Sequence, residues 1–556
     1  MPYRISRRKA LAGLSATAAL PLVGCAGFAR QSGNSSAFAH GVASGDPDER
    51  SVVLWTRIST ERRTATGKWI VTEDAEHRRV VKRGAFSTDR SRDMTVKLVV
   101  DGLEPGKTYY YSFKYKGQNS PVGRTRTLPT GSPGKLGIAL ASCSNYPFGY
   151  FNAYETIALD PGVDFVVHLG DYIYEYGPDG YGGQSGVALG REHRPRRETV
   201  TLKDYRQRHA QYKADPQSQM MHAAHPLIAI WDDHESTDNP WREGANNHQQ
   251  ETEGDWVSRR ERSLQAYFEW MPLREPAAGM DRAQYWRHYQ FGDLASLVTL
   301  ETRHTARDEQ FDYEQFRELL QTGEGIAEFL QQHLNAPGRH LLAPEMEAFL
   351  ETALRESVTA GQPWRIIGNQ VPMARSYIPA LTDEQFAQLA LDESHPLYDE
   401  ARTFSALGPA RLPLFLDAWD GYPWARERFY QLCRNAGARD LLVVTGDSHA
   451  FWQNQLFDEA DKPMGLELGT TGITSPGAFA SLGDAGAAMM DGLIAAGSPE
   501  VLWTEGLTRG YVRLTLAPTE ATVDYVGVST VKERDYKPVN VRQTRILREG
   551  AQLRYA

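Results

Sequence analysis

Cysteine is scarce in this chain. Three residues in 556, Cys25, Cys143 and Cys433, lie far apart, which excludes a disulfide framework and a CxxC zinc site and leaves only single-thiol chemistry. No long run of Lys and Arg is present. With 61 Lys+Arg against 70 Asp+Glu, a formal net charge of −9, the electrostatic footprint of a nucleic-acid scaffold is missing. No internal repeat is found, which argues against a solenoid or propeller. The apolar stretch Ala10 to Gly24 is 15 residues long, short of the ~20 that a permanent membrane-spanning helix needs.

What is present is a globular composition, 41% hydrophobic, 10% aromatic and 24% charged, in a chain three to four times the ~150 residues of one typical domain. More than one folded unit is expected. Residues 1–29 read as an export signal: Arg4, Arg7, Arg8 and Lys9 precede the apolar run. The paired arginines after Ser6 resemble a twin-arginine signal, which makes the twin-arginine export machinery a partner. Leu22-Val23-Gly24-Cys25 resembles a lipoprotein box with Cys25 acylated; plain cleavage near Ala29 is the alternative. An exported protein, periplasmic or held at the cell envelope, is expected.

Residues 38–130 carry short runs with a period of two, such as Ser51–Thr56, Thr95–Val100 and Thr108–Phe113. That pattern predicts an N-terminal β-sandwich of fibronectin or immunoglobulin type. The breaker-rich stretch Pro129–Gly134 reads as a linker. From 135 to 530 the texture changes to β-rich runs (Gly137–Ala141, Val163–Leu169, Pro226–Trp231, Ala295–Leu300, Trp364–Ile367, Leu441–Val444) alternating with helical patterns (Leu202–Lys213, Trp256–Trp270, Gln315–Leu334, Pro344–Ser357, Trp424–Ala436). This alternation predicts an α/β or α+β unit of layered sheets with flanking helices. Residues 374–412 read as a surface insertion, Gly465 onward as loops before closing strands at Tyr511–Leu516 and Ala521–Val526, and 531–556 as a tail.

Four strand-like runs end in groups able to bind metal: Ala141-Ser142-Cys143-Ser144-Asn145, Leu169-Gly170-Asp171-Tyr172-Ile173-Tyr174-Glu175, Trp231-Asp232-Asp233-His234-Glu235 and Thr445-Gly446-Asp447-Ser448-His449. A single Asp or His after a strand is an ordinary cap or turn residue. Four such runs at the C-terminal edge of a sheet, where loops converge on a rigid scaffold, point to a metal site.

The order of these motifs resembles calcineurin-like metallophosphoesterases. The forms Ala-Ser-Cys, Gly-Asp-Tyr-Ile-Tyr-Glu, Trp-Asp-Asp-His-Glu, Asp417–Pro423 and Gly-Asp-Ser-His, with Gly41–Pro47 near the start, resemble the alkaline phosphatase D family more narrowly. The resemblance implies a metallophosphoesterase-like catalytic domain. It also implies Cys143 as a soft ligand, Asp171 as a bridging carboxylate, Tyr174 as a phenolate ligand, Asp233 with Asn239 as a rival oxygen ligand, and Asp447 and His449 completing the set. One ferric ion and two calcium ions are implied, a plain di-metal site being the alternative. Thiolate and phenolate suit a highly charged metal, and carboxylate and amide oxygens suit calcium. His234 is implied to contact phosphate and to protonate the leaving oxygen, with Asp232 either holding its tautomer or capping the loop. Taken alone, Cys143 also reads as a small buried hydrophobe.

Glu301 stands in Leu300-Glu301-Thr302-Arg303 where relatives carry Asp, and its extra methylene is expected to shift a hydrogen bond to the site. Arg303 is a candidate phosphate contact or a salt-bridged structural arginine. His168 and Cys433 read as core residues, and Tyr172 and Tyr176 as packing. The function implied is an exported, metal-dependent phosphatase or phosphodiesterase acting on phosphate esters as a monomer. The alternatives are a phospholipase D-like enzyme acting on lipids and a non-catalytic envelope binding protein.

Overall fold

A computed structural model describes residues 36–277, 279–550 and 552–556. The signal, Arg7, Arg8 and Cys25 lie outside the described residues.

The N-terminal unit is built from β1 (Val42–Gly45), β2 (Val52–Arg57), β3 (Thr64–Thr72), β4 (Val80–Asp89), β5 (Thr95–Val100), β6 (Thr108–Tyr115), β7 (Gln118–Asn119) and β8 (Gly123–Arg126). β1, β2 and β5 form one layer; β4, β3, β6 and β7, with β8 on β6, form the other. The alternation seen in sequence fills the space between them with Val52, Leu54, Val71, Tyr109, Tyr111 and Phe113.

This unit is not set apart by a linker. β1 pairs in parallel with β11 through Gly45 and Leu227, so its first layer extends a ten-stranded sheet. The central strands of that sheet are β9 (Leu136–Ala141), β10 (Phe165–His168) and β11 (Leu227–Ala229), all parallel. After the two-residue strands β12 (Pro240–Trp241) and β13 (Gly244–Ala245), a second sheet of seven strands is made by β14 (His288–Phe291), β15 (Ala295–Thr299), β16 (Trp364–Gly368), β17 (Leu441–Thr445), β18 (Phe451–Phe457), β19 (Pro463–Gly469) and β20 (Val501–Glu505). The chain returns to the first sheet with β21 (Arg509–Leu516), β22 (Glu520–Val528), β23 (Pro538–Glu549) and β24 (Gln552–Tyr555).

The two sheets pack face to face through Ile138, Val167, Ile230, Leu297, Ile366, Val444 and Leu514. Helices Leu202–Lys213 and Trp256–Trp270 cover the outer face of the first sheet, and Pro344–Thr359 and Pro423–Asn435 cover that of the second. Strands covered on both faces explain the continuous apolar runs.

Several expectations need correction. Residues 531–556 are not a tail: β23 and β24 are the outer strands of the first sheet. The stretch from Gly465 holds most of β19, the helix Gly483–Gly497 and β20 before the closing strands. The helix expected over 315–334 is broken into short turns, with an α-helical piece only at Gly323–Glu328 and a π-helical turn at Phe329–Leu334. The 374–412 segment contains helices Asp383–Gln388 and Tyr398–Ser405. It is anchored by Phe386, Leu389 and Leu391 packing on Met490.

Candidate metal centre

The parallel strands β9, β10 and β11 of the first sheet and β15, β16 and β17 of the second end at the same edge, where their loops are tied together. Cys143 N–H donates to the Gly170 carbonyl at 3.2 Å, Ser144 N–H to the Asp171 carbonyl at 2.9 Å and Gly446 N–H to the Gln370 carbonyl at 2.8 Å. The sheets approach so closely that a Cβ on Gly446 would meet Ser142 Oγ at 2.3 Å. Cys143, Asp171, Asn239, Asp447 and His449 all have φ between 45° and 59°. That left-handed region is costly for residues with a Cβ, and such strain gathers at sites where side chains must be aimed.

The candidate ligands form three linked groups. Cys143 Sγ, an Asp171 oxygen and a His449 ring nitrogen lie within 4.8 Å of one another; so do donors of Asp171, Asp233 and His234, and of Asp232, Asp233 and Asp447. Asp171 belongs to the first two groups and Asp233 to the last two. The Tyr174 hydroxyl joins the first, 2.8 Å from Asp171 Oδ2 and 3.3 Å from His449 Nε2. His449 Nδ1 is hydrogen-bonded to the Pro476 carbonyl at 2.9 Å, which leaves Nε2 facing the group. Holding a ligating imidazole by its other nitrogen is how proteins fix its tautomer.

His234 is set by Glu175, so of the two roles left open for Asp232, holding the tautomer of His234 is not the one found. Its Nδ1 lies 2.8 Å from Glu175 Oε2, its Nε2 lies 3.6 Å from Asp233 Oδ2, and its ring stacks on Tyr174 at 4.2 Å. Glu175 is held in turn by Asn247 Nδ2 at 3.0 Å and Asp238 N–H at 3.1 Å. Asp232 instead accepts from Arg303 Nε at 2.5 Å. Arg303 also reaches Asp447 Oδ1 at 3.2 Å, Asn239 Oδ1 at 3.3 Å and Asp233 Oδ1 at 3.7 Å, so its guanidinium lies among the carboxylates of the third group.

Glu301 does not reach the ligands. It accepts from the backbone N–H of Arg303, His304 and Thr305 and from Trp231 Nε1, and so shapes the loop that carries Arg303. Glu235, not singled out in the sequence as functional, accepts from the N–H groups of Asp171, Tyr172 and Asp232 at 2.6–3.1 Å. It fixes two of the ligand loops against each other. Beyond the site, His168 is buried with Nε2 2.7 Å from the Tyr154 hydroxyl, and Cys433 is buried in the helix layer. Tyr172 packs as expected and also hydrogen-bonds His222 at 2.9 Å.

The electrostatics are those of crowded buried acids. Burial, then the neighbouring Asp233 carboxylate, raises Asp171 far above its usual range. Burial raises Asp232 in the same direction despite Arg303, and pushes Glu235 up to about 7. Burial and then Asp171 raise the Cys143 thiol, and the same two causes raise the Tyr174 phenol. Burial opposes charge on Asp233 and His234 too, but is outweighed. His234 and Arg303 hold Asp233 low, while Asp233, Asp171 and Glu175 raise His234 well above the usual imidazole range.

The donor set fits metal. Buried Asp232 Oδ2 and Asp233 Oδ1 have no hydrogen-bond partner among the described residues, and a cation would satisfy both while offsetting the repulsion that helps raise Asp171. The Cys143, Tyr174, His449 and Asp171 set suits a strongly Lewis-acidic transition ion, and the oxygen-rich remainder suits a hard cation.

Comparison with known proteins bears on the same residues. The sequence profile of the PhoD-like phosphatase family matches residues 138–525, and that of the PhoD-like phosphatase N-terminal domain matches residues 24–129. Alkaline phosphatase D of Bacillus subtilis (strain 168) is 35% identical over 514 residues, which is 89% of this chain and 78% of that protein. A solved structure titled "Structure of PhoD" superposes with a TM-score of 0.75 at 32% identity, covering 94% of this chain and 93% of the other.

Proposed function

Because the chain belongs to the PhoD-like phosphatase family, we propose that it is an exported, metal-dependent phosphoesterase that hydrolyses phosphate monoesters or diesters. The four-layered unit is read as metallophosphoesterase-like and the N-terminal unit as immunoglobulin-like. The observation that carries the reading is the linked series of donor groups, with Asp171 shared between Cys143–His449 on one side and Asp233–His234 on the other.

Cys143, Asp171, Tyr174 and His449 would hold one ion, in our reading ferric iron. Asp171 and Asp233, with Asn239 at the rim, would hold a second, read as calcium. A second calcium would fall in the third group, among Asp232, Asp233 and Asp447. The Arg303 guanidinium also lies among those carboxylates, and a plain two-metal site is the alternative reading. Ions bound there supply Lewis acidity and neutralise phosphoryl oxygens.

The chain's own groups do the rest. His234, held at Nδ1 by Glu175, presents Nε2 beside Asp233, where in its protonated form it can donate to a phosphoryl or leaving-group oxygen. Arg303, fixed by Asp232 and Asp447, offers a second cationic donor whose position is set before substrate binds. The site residues are almost wholly buried, and half-buried Asp238 and Asn239 form the more open side.

The test is Asp171→Asn and Cys143→Ser, with metal content by elemental analysis and turnover of a monoester, a bis-ester and phosphatidylcholine measured side by side. Asp171→Asn should lose both metal and turnover, by about 100-fold or more. Cys143→Ser should keep the fold and lose the transition ion with its visible absorbance. Full metal content and full turnover in both variants would overturn the site. Turnover of phosphatidylcholine alone would move the substrate class to lipids.

The twin-arginine reading predicts that Arg7→Lys with Arg8→Lys traps the precursor in the cytoplasm, as cell fractionation would show. Normal yield of mature protein outside the inner membrane would reject it.

A further inference from the structure

The outer layer of the N-terminal unit has a face that the phosphoesterase reading does not use. Along β3, β4 and β6 the side chains alternate, so that Trp69, Phe86, Tyr111 and Phe113 turn to the core. Lys68, Ile70, Arg83, Ser112 and Lys114 fall on the opposite face and, together with His77 and parts of Trp69 and Phe113, line a groove of about 630 Å³. Among the described residues, no Asp or Glu lines it. In a chain of net charge −9, three cations without an acidic neighbour in the groove are a local reversal of sign. Lys68 stands directly opposite Lys114 in the β3–β6 register, and like charges at a cross-strand pair destabilise the sheet unless an anion lies over them. Ile70 is half-buried and Val122 is 41% exposed on the same groove, so the face offers apolar contact between its charges.

The position of the groove relative to the chain's start names its occupant. Ala37 N–H donates to the Gln118 side chain at 2.9 Å, and Gln118–Asn119 is β7, which pairs with Lys114 and Tyr115 of β6. The first described residues are therefore fastened to the edge of this sheet. From Ser36 back to Cys25 the chain spans at most about 40 Å, at ~3.5 Å per residue. An envelope-held protein thus carries the groove within reach of the bilayer.

We propose that the open face of β3, β4 and β6 is a docking surface for an anionic phospholipid bilayer. Lys68, Arg83 and Lys114 lie over lipid phosphates, and Ile70 and Val122 touch the interface. The inference rests on envelope localisation and is independent of the phosphoesterase reading. A bilayer fits better than a soluble polyanion because the groove mixes apolar side chains with its cations and sits beside the segment that leads toward the membrane.

The test uses the full chain carrying Cys25→Ala, so that no acyl group contributes, in flotation with vesicles of equimolar phosphatidylglycerol and phosphatidylcholine and with phosphatidylcholine alone. Binding is expected only to the anionic vesicles, and raised salt should abolish it. Each cation near an anionic leaflet contributes about fivefold in partition, so Lys68→Gln, Arg83→Gln and Lys114→Gln together should lower it about 100-fold. Monoester turnover should stay unchanged, and the unfolding midpoint should hold or rise, because the Lys68–Lys114 repulsion is removed. Equal partition onto both vesicle types, or a triple variant that binds as the parent does, would overturn the proposal. Binding of soluble polyphosphate without binding to anionic vesicles would also overturn it, in favour of a soluble polyanion. Turnover measured on the same samples keeps a failure here separate from a failure of the phosphoesterase reading.

Discussion

At the scale of single residues, the chemistry depends on side chains that aim other side chains. Glu175 is the clearest case. Its carboxylate fixes the ring of His234 through Nδ1 and is itself held by Asn247 and Asp238, so Glu175→Gln should leave metal content intact while lowering kcat by about 10–100-fold. It should also shift the basic limb of the kcat–pH profile to lower pH, because one of the carboxylates that keep His234 protonated is gone. A variant with unchanged kcat and unchanged profile would remove Glu175 from the mechanism. Asp491, which is not among the candidate ligands, gives a test of stability instead. Burial pushes its carboxyl up to about 6 from an ordinary value of 3.8. The folded state therefore holds this proton more tightly than the unfolded chain does, and the resulting stabilisation is full below 3.8 and lost as pH rises through about 6. Asp491→Asn should make the protein more stable than the parent by ~1–2 kcal/mol at about pH 8 and by much less at about pH 5, as denaturant unfolding at the two values would show. A difference that does not change with pH would refute the assignment.

At the scale of elements, the site is a property of strand ends. Gly170, at the exit of β10, has φ of +104°, and a Cβ there would meet the Asp232 backbone nitrogen at 2.5 Å. Gly170→Ala should therefore cost ~1–3 kcal/mol and push the Asp171 loop away from the Asp232 loop, with metal content falling along with the midpoint. Metal content and midpoint equal to the parent would mean that the loops can part without loss. The ligand-bearing strands were legible in the sequence because parallel strands covered on both faces read as apolar runs, and each run stops at the polar residues it presents. Other elements gave no such signal. β23 carries Arg542, Arg545 and Arg548, of which Arg542 bonds the Gln453 side chain and Arg548 pairs with Asp440 at the rim of the second sheet, so it lacks the apolar run of a buried strand and reads as a solvated tail. The helix Gly483–Gly497 is rich in Ala and Gly and buries only a narrow stripe. β19 contains Gly465, which reads as a breaker but is needed because a Cβ there would meet the Leu441 carbonyl at 2.1 Å. Glu175 carries little sequence signal for a related reason: adjacency along the chain offers Asp232 as a partner for His234, whereas the fold supplies a carboxylate 59 positions away.

At the scale of the whole molecule, the N-terminal unit and the catalytic unit share one sheet and one buried ion cluster, so they should unfold together. Asp46, from the Gly-Asp-Pro segment before β2, is fully buried at the junction with a left-handed φ of 42°. Its carboxylate accepts from Arg274 N–H at 2.9 Å and from the Tyr289 and Tyr285 hydroxyls at 3.1 and 3.3 Å, and Arg287 Nη2 lies 3.2 Å away. All four partners come from the segment that leads into β14 and from β14 itself. Around this cluster, Trp55 Nε1 donates to the Glu269 carbonyl at 2.9 Å and Lys97 Nζ to the Phe268 carbonyl at 2.5 Å. Removing one partner of such a buried ion cluster is far more destabilising than the pairing is stabilising, because the remaining charge and hydroxyls lose their partner without regaining water. Asp46→Ala should thus lower stability by about 3–5 kcal/mol. The parent should show one cooperative transition by tryptophan fluorescence and by far-ultraviolet circular dichroism, since a shared sheet leaves no boundary at which one unit can melt alone. In Asp46→Ala the two signals should separate, the N-terminal strands being released first. Two resolved transitions in the parent, or an alanine variant as stable as the parent, would mean that the junction is a contact between independent domains rather than a common core.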